Sequence, residues 1–324
     1  MIKTILNQPE PIDKLPIFAK EKYLRCKSNN YGWFVSNTFI IPFFLNKKYL
    51  FKRLVFTHMP ISLNGCYSKY EEEKFLNEMV RNIKISKLCD YVYMAQSNVV
   101  FNTTPDDCDY AEWGTYLVDL RLSNEELLSS FHQKHRNVIK KAISLGVTIE
   151  KTKDYDLIYR NIKDTLIRNK SIHYPSKIYL KNLIENVSNN VTLYVAKHEN
   201  KLQGTAVVLH DNLSGYYMYG GSIEKPCVGS LNYLQYIIML DLKSINVPIY
   251  DLVGARIAVK SGSKYEGIQK FKSRFGAKLH QGYTFKVIIK PFKYKLFNIL
   301  VRVYSVLRGI KYSDPIDQLK TKMY

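Results

Sequence analysis

The segments YDLVG at residues 250–254 and GIQKFKSRFG at residues 267–276 determine how the second half of this chain can fold. Residues 248–252 are mostly apolar and predict a short strand, which ends where Gly254 lets the chain turn. Residues 268–275 predict a short helix, and residues 283–289 predict a further strand. The order strand, loop, helix, strand is typical of a helix packed on a sheet.

The pattern continues upstream of these segments. Helices are predicted at residues 154–168 and 177–187. Three strands follow, at residues 192–196, 204–209 and 216–219, joined by short polar turns. Ser230 can cap a long apolar helix over residues 231–244. The second half is therefore predicted to be an α+β layer structure with a central, mainly antiparallel sheet.

The first half carries a looser version of the same mixture. Strands are predicted within residues 31–60, 91–101 and 114–120, and a helix at residues 69–88. Ser123 and Glu126 have the spacing of a capping box, which predicts a helix start. A basic helix over residues 132–144 and a strand at residues 147–150 follow.

The C-terminal tail has its own character. Residues 291–324 contain seven Lys or Arg and two Asp. One helical face is apolar, with Phe297, Leu300, Val301, Tyr304 and Leu307. The basic residues beside it are Lys293, Lys295, Arg302, Arg308 and Lys311. A basic amphipathic helix of this kind either lies on a membrane surface or docks on its own domain, and both interpretations stay open.

The composition predicts a folded protein with polyanionic partners. Of the 324 residues, 46% are hydrophobic, which is enough for a core, and 48 Lys plus Arg against 28 Asp plus Glu give a net charge of +20. Such an excess favours nucleic acid, an anionic membrane surface or a phosphorylated substrate as partner. Solubility in a generally basic proteome is the simpler alternative.

Cysteine usage and the N-terminus indicate the compartment. The number of cysteines, five, is odd, and no two of them have C-x-x-C spacing. Both observations argue against a disulfide framework and a zinc site. No signal peptide is recognisable, and the apolar run at residues 39–45 is too short to cross a bilayer. We predict a cytoplasmic protein, peripheral at the inner face of the membrane if the helix at residues 291–311 binds lipid.

Several signatures of catalysis are missing from the sequence. It has no P-loop, no G-x-G-x-x-G after a strand, no H-E-x-x-H and no G-x-S-x-G. We therefore predict no metal site and no serine nucleophile.

Four motifs occur along the second half of the chain and just before it. The Y-D-x-x-G strand and the F-K-x-x-F-G helix are the two segments quoted first. The third motif is KHRNVIKKA at residues 134–142 with Gly-Val at 146–147, and the fourth is YMYGGS at residues 217–222. Together the four motifs resemble the Fem family of non-ribosomal peptidyltransferases and its relatives in the GNAT superfamily, and the resemblance spans roughly residues 115 to 290.

The resemblance implies two tandem GNAT-like domains, which we place at residues 1–145 and 146–290, before the basic tail at residues 291–324. It also implies a transferase that moves an aminoacyl or acyl group onto an amine of a cell-envelope precursor, either peptidoglycan or an amino sugar of a surface polysaccharide. The donor would be aminoacyl-tRNA or acyl-CoA, with no bound cofactor, and the acceptor a nucleotide- or lipid-linked precursor.

The motifs supply the candidate catalytic residues. Lys272 matches the Lys of F-K-x-x-F-G and would offer positive charge to a phosphate, a ribose ester or an oxyanion, and a solvated surface lysine is the alternative. Phe271 beside it would shape the pocket, although core packing of a short helix explains it as well. Asp251 is a candidate general base or acceptor for the amine, and a turn residue bonded to local N–H groups is the alternative.

Other residues are candidates for substrate binding. Tyr217 and Tyr219 alternate on a strand and are predicted to share one face, either cleft or core. Gly220 and Gly221 after them permit a bulge or a close backbone approach. The residues Arg136 and Lys140 lie four apart on a helix and could hold a phosphate, or they could simply form a solvated face.

Asn232, near the start of the long helix, is a further candidate for donating a hydrogen bond to substrate.

Two departures from the family affect the substrate. The acetyl-CoA loop Q/R-x-x-G-x-G/A is missing, because the nearest match, residues 201–206, begins a strand, and this favours a different donor. The long helical arm of bridge-forming enzymes is also missing, which favours a surface-polysaccharide precursor over murein. An acyl-CoA N-acyltransferase on a nucleotide-linked amino sugar, and a non-enzymatic protein that binds nucleic acid or a membrane surface, stay open as alternatives.

Overall fold

The structure is a computed structural model that describes residues 2–9, 15–48, 50–169, 171, 174–307 and 313–320. The chain divides into two compact units. Unit 1 comprises Met1–Thr115, Gly254–Gly267 and His280–Tyr324, and unit 2 comprises Tyr116–Val253 and Ile268–Leu279.

The described strands are, in chain order, β1 (Lys3–Ile5), β2 (Tyr31–Val35), β3 (Phe39–Lys48), β4 (Phe51–Phe56), β5 (Ile61–Ser62), β6 (Tyr91–Val92), β7 (Asp109–Asp119), β8 (Thr148–Thr152), β9 (Val191–His198), β10 (Lys201–His210), β11 (Gly215–Ser222), β12 (Ile249–Asp251), β13 (Ala255–Arg256) and β14 (Lys278–Ile288). The described α-helices are α1 (Glu21–Lys27), α2 (Lys69–Ser86), α3 (Asn124–Ser130), α4 (Gln133–Ser144), α5 (Tyr155–Arg168), α6 (Lys177–Asn186), α7 (Ser230–Ser244), α8 (Lys264–Ser273), α9 (Pro291–Leu307) and α10 (Pro315–Lys320).

Unit 1 is built on strands in the order β1-β2-β3-β4-β6-β14. Neighbours are antiparallel except β4 and β6, which are parallel. Helix α2 begins at a capping box formed by Ser68 and Glu71 and packs its apolar stripe on the sheet. The core beneath it is rich in aromatic side chains, including Phe34, Phe43 and Phe285.

Unit 2 is built on the order β7-β12-β11-β10-β9-β8. Its neighbours are antiparallel except β11 and β12, which run parallel. Adjacent residues of β10 show that helices cover both faces: a Cβ at Gly204 would clash with Leu231 of α7, whereas Thr205 donates a hydrogen bond to Asn161 of α5. The predicted fold class, α+β with mixed and mainly antiparallel sheets, is confirmed.

The division of the chain differs from the predicted boundaries at residues 145 and 290. Helix α4 packs against α7 and therefore belongs with unit 2. Strand β14 pairs with β6 and carries the chain back into unit 1. A boundary read along the sequence cannot show this return, because it depends on strand pairing between distant segments.

One predicted strand is much shorter than expected. Within residues 91–101 only Tyr91–Val92 forms a strand, and Phe101 adds an isolated bridge to Tyr283. The backbone between them donates single bonds, from Tyr93 to Leu54 and from Gln96 to Phe56, instead of a continuous ladder. Alternation in the sequence therefore overestimated the length of this strand.

Helix α9 confirms the predicted C-terminal helix as far as Leu307, and the rest of the predicted segment, residues 308–311, lies outside the described residues. Among the described helices, none has the length and apolar character needed to cross a bilayer.

Candidate active site

The parallel strands β11 and β12 of unit 2 diverge. They are paired only through Gly215 with Tyr250 and Tyr216 with Asp251, although β11 continues to Ser222. Beyond Tyr216, no described strand pairs with the β12 side of β11, while its other side stays paired with β10. The divergence therefore leaves an open edge of backbone donors and acceptors at the centre of a sheet.

A bulge at Met218 changes the faces of β11. The register with β10 shifts because Val208 pairs with Tyr217 and Val207 with Tyr219, which leaves Met218 as the extra residue. Before the bulge a Cβ at Gly215 would overlap Leu242 of α7, and after it one at Gly221 would overlap Asn161 of α5. Odd-numbered residues of β11 therefore face α7 before the bulge and α5 after it.

The bulge corrects the prediction that Tyr217 and Tyr219 share one face. Tyr217 lies on the α7 side, with its hydroxyl directly over Gly220, where no side chain could fit. Tyr219 lies on the other side, with its ring centroid 6.4 Å from that of Tyr179 in α6. Both tyrosines keep part of their surface exposed, and desolvation raises the pKa of Tyr217 to about 12.

The end of β12 forms a tight polar turn. The buried carboxylate of Asp251 accepts a hydrogen bond at 2.7 Å from the N–H of Val253. Val253 has φ of +50°, in the left-handed region that a β-branched residue rarely adopts. Such strain persists only where the surroundings enforce it, and it is frequent at functional sites.

Lys272 of α8 reaches this turn, because its ammonium group donates to the carbonyl oxygen of Val253. Desolvation lowers the pKa of Lys272 to about 8, and the negative charge of Asp251 acts against this shift. Asp251 and Lys272, predicted from two separate motifs, are thus brought to the same strained peptide segment.

The remaining residues of the F-K-x-x-F-G motif pack against α4. Phe275 is fully buried, and its ring contacts those of Phe131, His135 and Phe271 at centroid distances of 5.3, 4.5 and 5.1 Å. His135 Nε2 lies 3.1 Å from the carbonyl oxygen of Phe271. Phe271 is therefore a member of an aromatic cluster, and its contact with substrate stays a prediction.

His135 makes unit 2 sensitive to acid. Desolvation lowers the pKa of His135 to about 4, so the folded protein holds it neutral while the unfolded chain protonates near pH 6.5. Its contribution to stability is complete above pH 6.5 and is lost as the pH falls toward 4, by up to about 3 kcal/mol. We expect His135→Gln, whose amide can still donate to Phe271, to show a flatter decline of unfolding free energy over this range.

Urea unfolding at several pH values measures this difference. Because the carboxylates titrate in both proteins, their effect cancels when the two curves of unfolding free energy against pH are subtracted. The remaining difference is the contribution of His135. Identical slopes for the wild-type protein and His135→Gln would contradict the assignment.

The structure does not bring Arg136, Lys140 and Asn232 to the turn at Val253. The guanidinium of Arg136 donates to the carbonyl oxygens of Ser129 and Phe131, where α3 ends, and to Gln133. Lys140 is exposed on α4, and Asn232 is half-buried in the first turn of α7. Phosphate or substrate binding by these three residues stays a prediction.

Helix α7 starts just after the open edge of β11. Its N-cap is Gly229, not the predicted Ser230, which is the first helical residue and donates its hydroxyl to the carbonyl of Cys227. No side chain caps this end, and its first turn has no acidic residue. The end of β11 is held by α5, where Thr165 and Arg168 both donate to the carbonyl oxygen of Ser222.

Sequence reasoning missed three of these features: the left-handed Val253, the buried His135 and the Gly229 cap. Val253 and His135 lie inside the quoted motifs, close to the candidate residues Asp251 and Arg136. Among the residues described, no group of three or more His, Cys, Asp or Glu side chains is placed to hold a metal ion.

These features define an α+β fold in which a mixed sheet opens between two parallel strands, with helices on both faces. No model of a protein family matches the sequence, and no curated protein matches it. Solved structures do match: FemX superposes with a TM-score of 0.63 at 14% identity, over 86% of this chain and 93% of FemX.

Two further structures have a related fold. The C-terminal domain of a protein assigned as lysylphosphatidylglycerol synthetase in Agrobacterium fabrum superposes with a TM-score of 0.54 at 13% identity, over 83% of this chain and 86% of that domain. L-PGS from Bacillus licheniformis superposes with a TM-score of 0.50 at 13% identity, over 82% of this chain and 86% of L-PGS. The resemblance to Fem-like proteins drawn from the four motifs is thus confirmed at the level of the fold.

Proposed function

We propose that this protein transfers an aminoacyl or acyl group from an activated carrier onto an amine. The observation that carries the proposal is the open edge of β11, which lies in the same unit as the turn that joins Asp251, Val253 and Lys272. The fold supports it, because the chain shares this fold with FemX and with a domain named as part of a lysylphosphatidylglycerol synthetase.

The open edge suits the chemistry of acyl transfer. When an amine attacks an ester or thioester, negative charge develops on the carbonyl oxygen. Fixed N–H groups stabilise this charge without reorganising. Beyond Tyr216, the backbone N–H groups of β11 that point away from β10 are proposed as such donors. They can also align an extended acyl carrier along β11, much as a strand would align.

Lys272 and Asp251 have different parts in this proposal. Below pH 8 Lys272 carries a positive charge, which would stabilise the oxyanion or the departing oxygen of the donor. Asp251 holds Val253 in its strained conformation and supplies the negative charge that favours the ammonium form of Lys272. No covalent intermediate on the protein is needed, because the amine attacks directly.

The donor is proposed to be an aminoacyl-tRNA. The net charge of +20 favours a large polyanion, and the segment before α7 has a single glycine rather than the glycine-rich loop that simple acetyl-CoA enzymes use. Helix α7 presents an uncapped N-terminus, which attracts phosphate. The acceptor is proposed to be an amine of a nucleotide- or lipid-linked envelope precursor.

The donor can be tested by single-turnover transfer. We expect loss of label from a pool of radiolabelled aminoacyl-tRNAs when UDP-amino sugars or a lipid-linked peptidoglycan precursor are added, and no labelled product from acetyl-CoA. Binding of tRNA should fall steeply between low and physiological salt, because phosphate contacts release counterions.

Three outcomes separate the alternatives. Product formation from acetyl-CoA alone would replace the tRNA version with an acyl-CoA N-acyltransferase. Salt-dependent tRNA binding without transfer to any acceptor amine would favour the non-enzymatic binding protein. Absence of both transfer and binding would contradict the proposal.

A further inference from the structure

Helix α9 of unit 1 exposes a continuous apolar stripe. Its members recur every three or four residues and so lie on one side of the helix: Phe292, Leu296, Ile299, Leu300, Val303, Val306 and Leu307. Phe292 is 90% exposed and Leu307 is 81% exposed. A stripe of this length is unusual on the surface of a protein that stays in water, where large exposed apolar patches mark an interaction site.

The opposite side of α9 is docked on its own unit. Tyr294 and Ser305 are buried, and the rings of Tyr294 and Phe297 lie 5.1 and 5.5 Å from that of Tyr91. Phe297 also contacts Phe51 at 5.2 Å. Packing on this inner side fixes the rotation of the helix, so the apolar stripe faces outward. The inner face of α9 therefore docks on its own unit, and the outer face remains exposed. Docking on its own domain and lying on a membrane surface can thus both hold, each for a different face of the helix.

The borders of the stripe are basic. At about 3.6 residues per turn, Lys295 and Arg302 lie along one border and Lys293 along the other. Residues 290–307 contain no Asp or Glu. An apolar face bordered by cations is the pattern of a helix that lies in the interface of an anionic membrane.

A lysine-rich groove lies where α9 begins. It has a volume of about 420 Å³ and is lined by Asn30, Leu45, Lys47, Leu50, Lys52, Asp90, Lys290 and Lys293. The carboxylate of Asp90 is 3.0 Å from Lys290 and 3.6 Å from Lys293, and it also accepts the backbone N–H of Lys52 at 2.8 Å. Four lysines and one carboxylate line the groove, so it keeps an excess of positive charge that suits a phosphate group.

We propose that the outer face of α9 and this groove form a docking surface for an anionic phospholipid bilayer. The stripe enters the boundary between headgroups and acyl chains, and the groove takes a headgroup phosphate. A second copy of this chain is a poorer occupant, because a symmetric contact would bring the same basic borders together. The proposal does not rest on the transfer activity.

Vesicle flotation tests the docking surface. We expect the wild-type protein to float with vesicles of equal parts phosphatidylglycerol and phosphatidylcholine, and to stay behind with phosphatidylcholine alone. Leu296→Asp combined with Val303→Asp should weaken binding by more than about 10-fold, since it places charge in the apolar face. The matched control is Tyr70→Asp combined with Ile85→Asp on α2, two side chains that are 73% and 83% exposed, and it should bind like the wild-type protein.

Charge reversal tests the borders separately. Lys295→Glu combined with Arg302→Glu should reduce binding to the anionic vesicles by roughly 10-fold or more, since each basic residue near the surface contributes to the attraction. Lys74→Glu combined with Lys84→Glu, two exposed changes on α2, is the control of equal charge. All four positions are exposed, so folding should be retained, which circular dichroism verifies.

These measurements distinguish a phospholipid bilayer from a second copy of the chain as the partner of the docking surface. Failure of the wild-type protein to float, or equal flotation of the α9 and α2 variants, would overturn the proposal. A dimer in sedimentation velocity that Leu296→Asp with Val303→Asp dissociates, without vesicle binding by the wild-type protein, would assign the surface to a second copy.

Discussion

Replacing Lys272 with methionine is expected to lower the rate of transfer by about 100-fold or more, which is the usual cost of removing one group that stabilises transition-state charge. Methionine has a similar length and tolerates the half-buried site. The variant loses the ammonium that donates to Val253. Binding of the donor should change little, because Lys272 is proposed to act on charge that develops during the reaction.

The pH profile gives a second measurement on the same residue. With its pKa lowered to about 8, Lys272 is positive below that pH and neutral above it, so the rate should fall as the pH rises through 8. Lys272→Arg keeps its charge at all accessible pH values. Whatever activity this variant retains should therefore lack the fall near pH 8.

Lys270→Met is the matched control, because it removes an exposed lysine two residues away on the same helix. Single-turnover rates and donor affinities of the three variants should be measured together with their thermal unfolding. Equal rates for Lys272→Met and Lys270→Met would remove Lys272 from the catalytic proposal.

The fold was largely predictable where local signals agree with tertiary contacts. The Ser123–Glu126 capping box, the apolar helix after Gly229 and the hairpins of unit 2 each carry their own sequence signal, and the structure has them within a few residues. The division into units was not predictable in this way. It depends on α4 packing on α7 and on β14 returning to β6, and neither contact leaves a local pattern.

The sequence predicted which residues belong to the candidate site, but it did not predict how they are arranged in space. Motifs selected Asp251 and Lys272, but only the fold shows that both meet at the Val253 peptide. For Tyr217 and Tyr219, strict alternation failed because one extra residue in β11 reverses every face beyond it. The pair Gly220-Gly221 indicated that a bulge was possible, and its position depends on the pairing with β10.

Gly229→Ala is expected to destabilise unit 2 by about 3 kcal/mol, the sum of a strained backbone and an overpacked contact. Gly229 has φ of +78°, and a Cβ there would overlap the carbonyl group of Val138 in α4. The backbone of α4 cannot rotate away as a side chain would. Either α7 or α4 must shift, and thermal unfolding should move down by roughly 10 °C.

Gly146→Ala separates the two causes of this loss. Gly146 lies just after α4 in the same unit and has a similar φ of +75°, but a Cβ there would meet nothing within 4 Å. It should therefore cost only the backbone strain, about 1 kcal/mol. Equal destabilisation by the two variants would show that the contact with Val138 is unimportant. A larger loss at Gly229, with a loss of donor binding that Gly146→Ala does not share, would tie the close packing of α4 and α7 to the position of the helix N-terminus beside the open edge of β11.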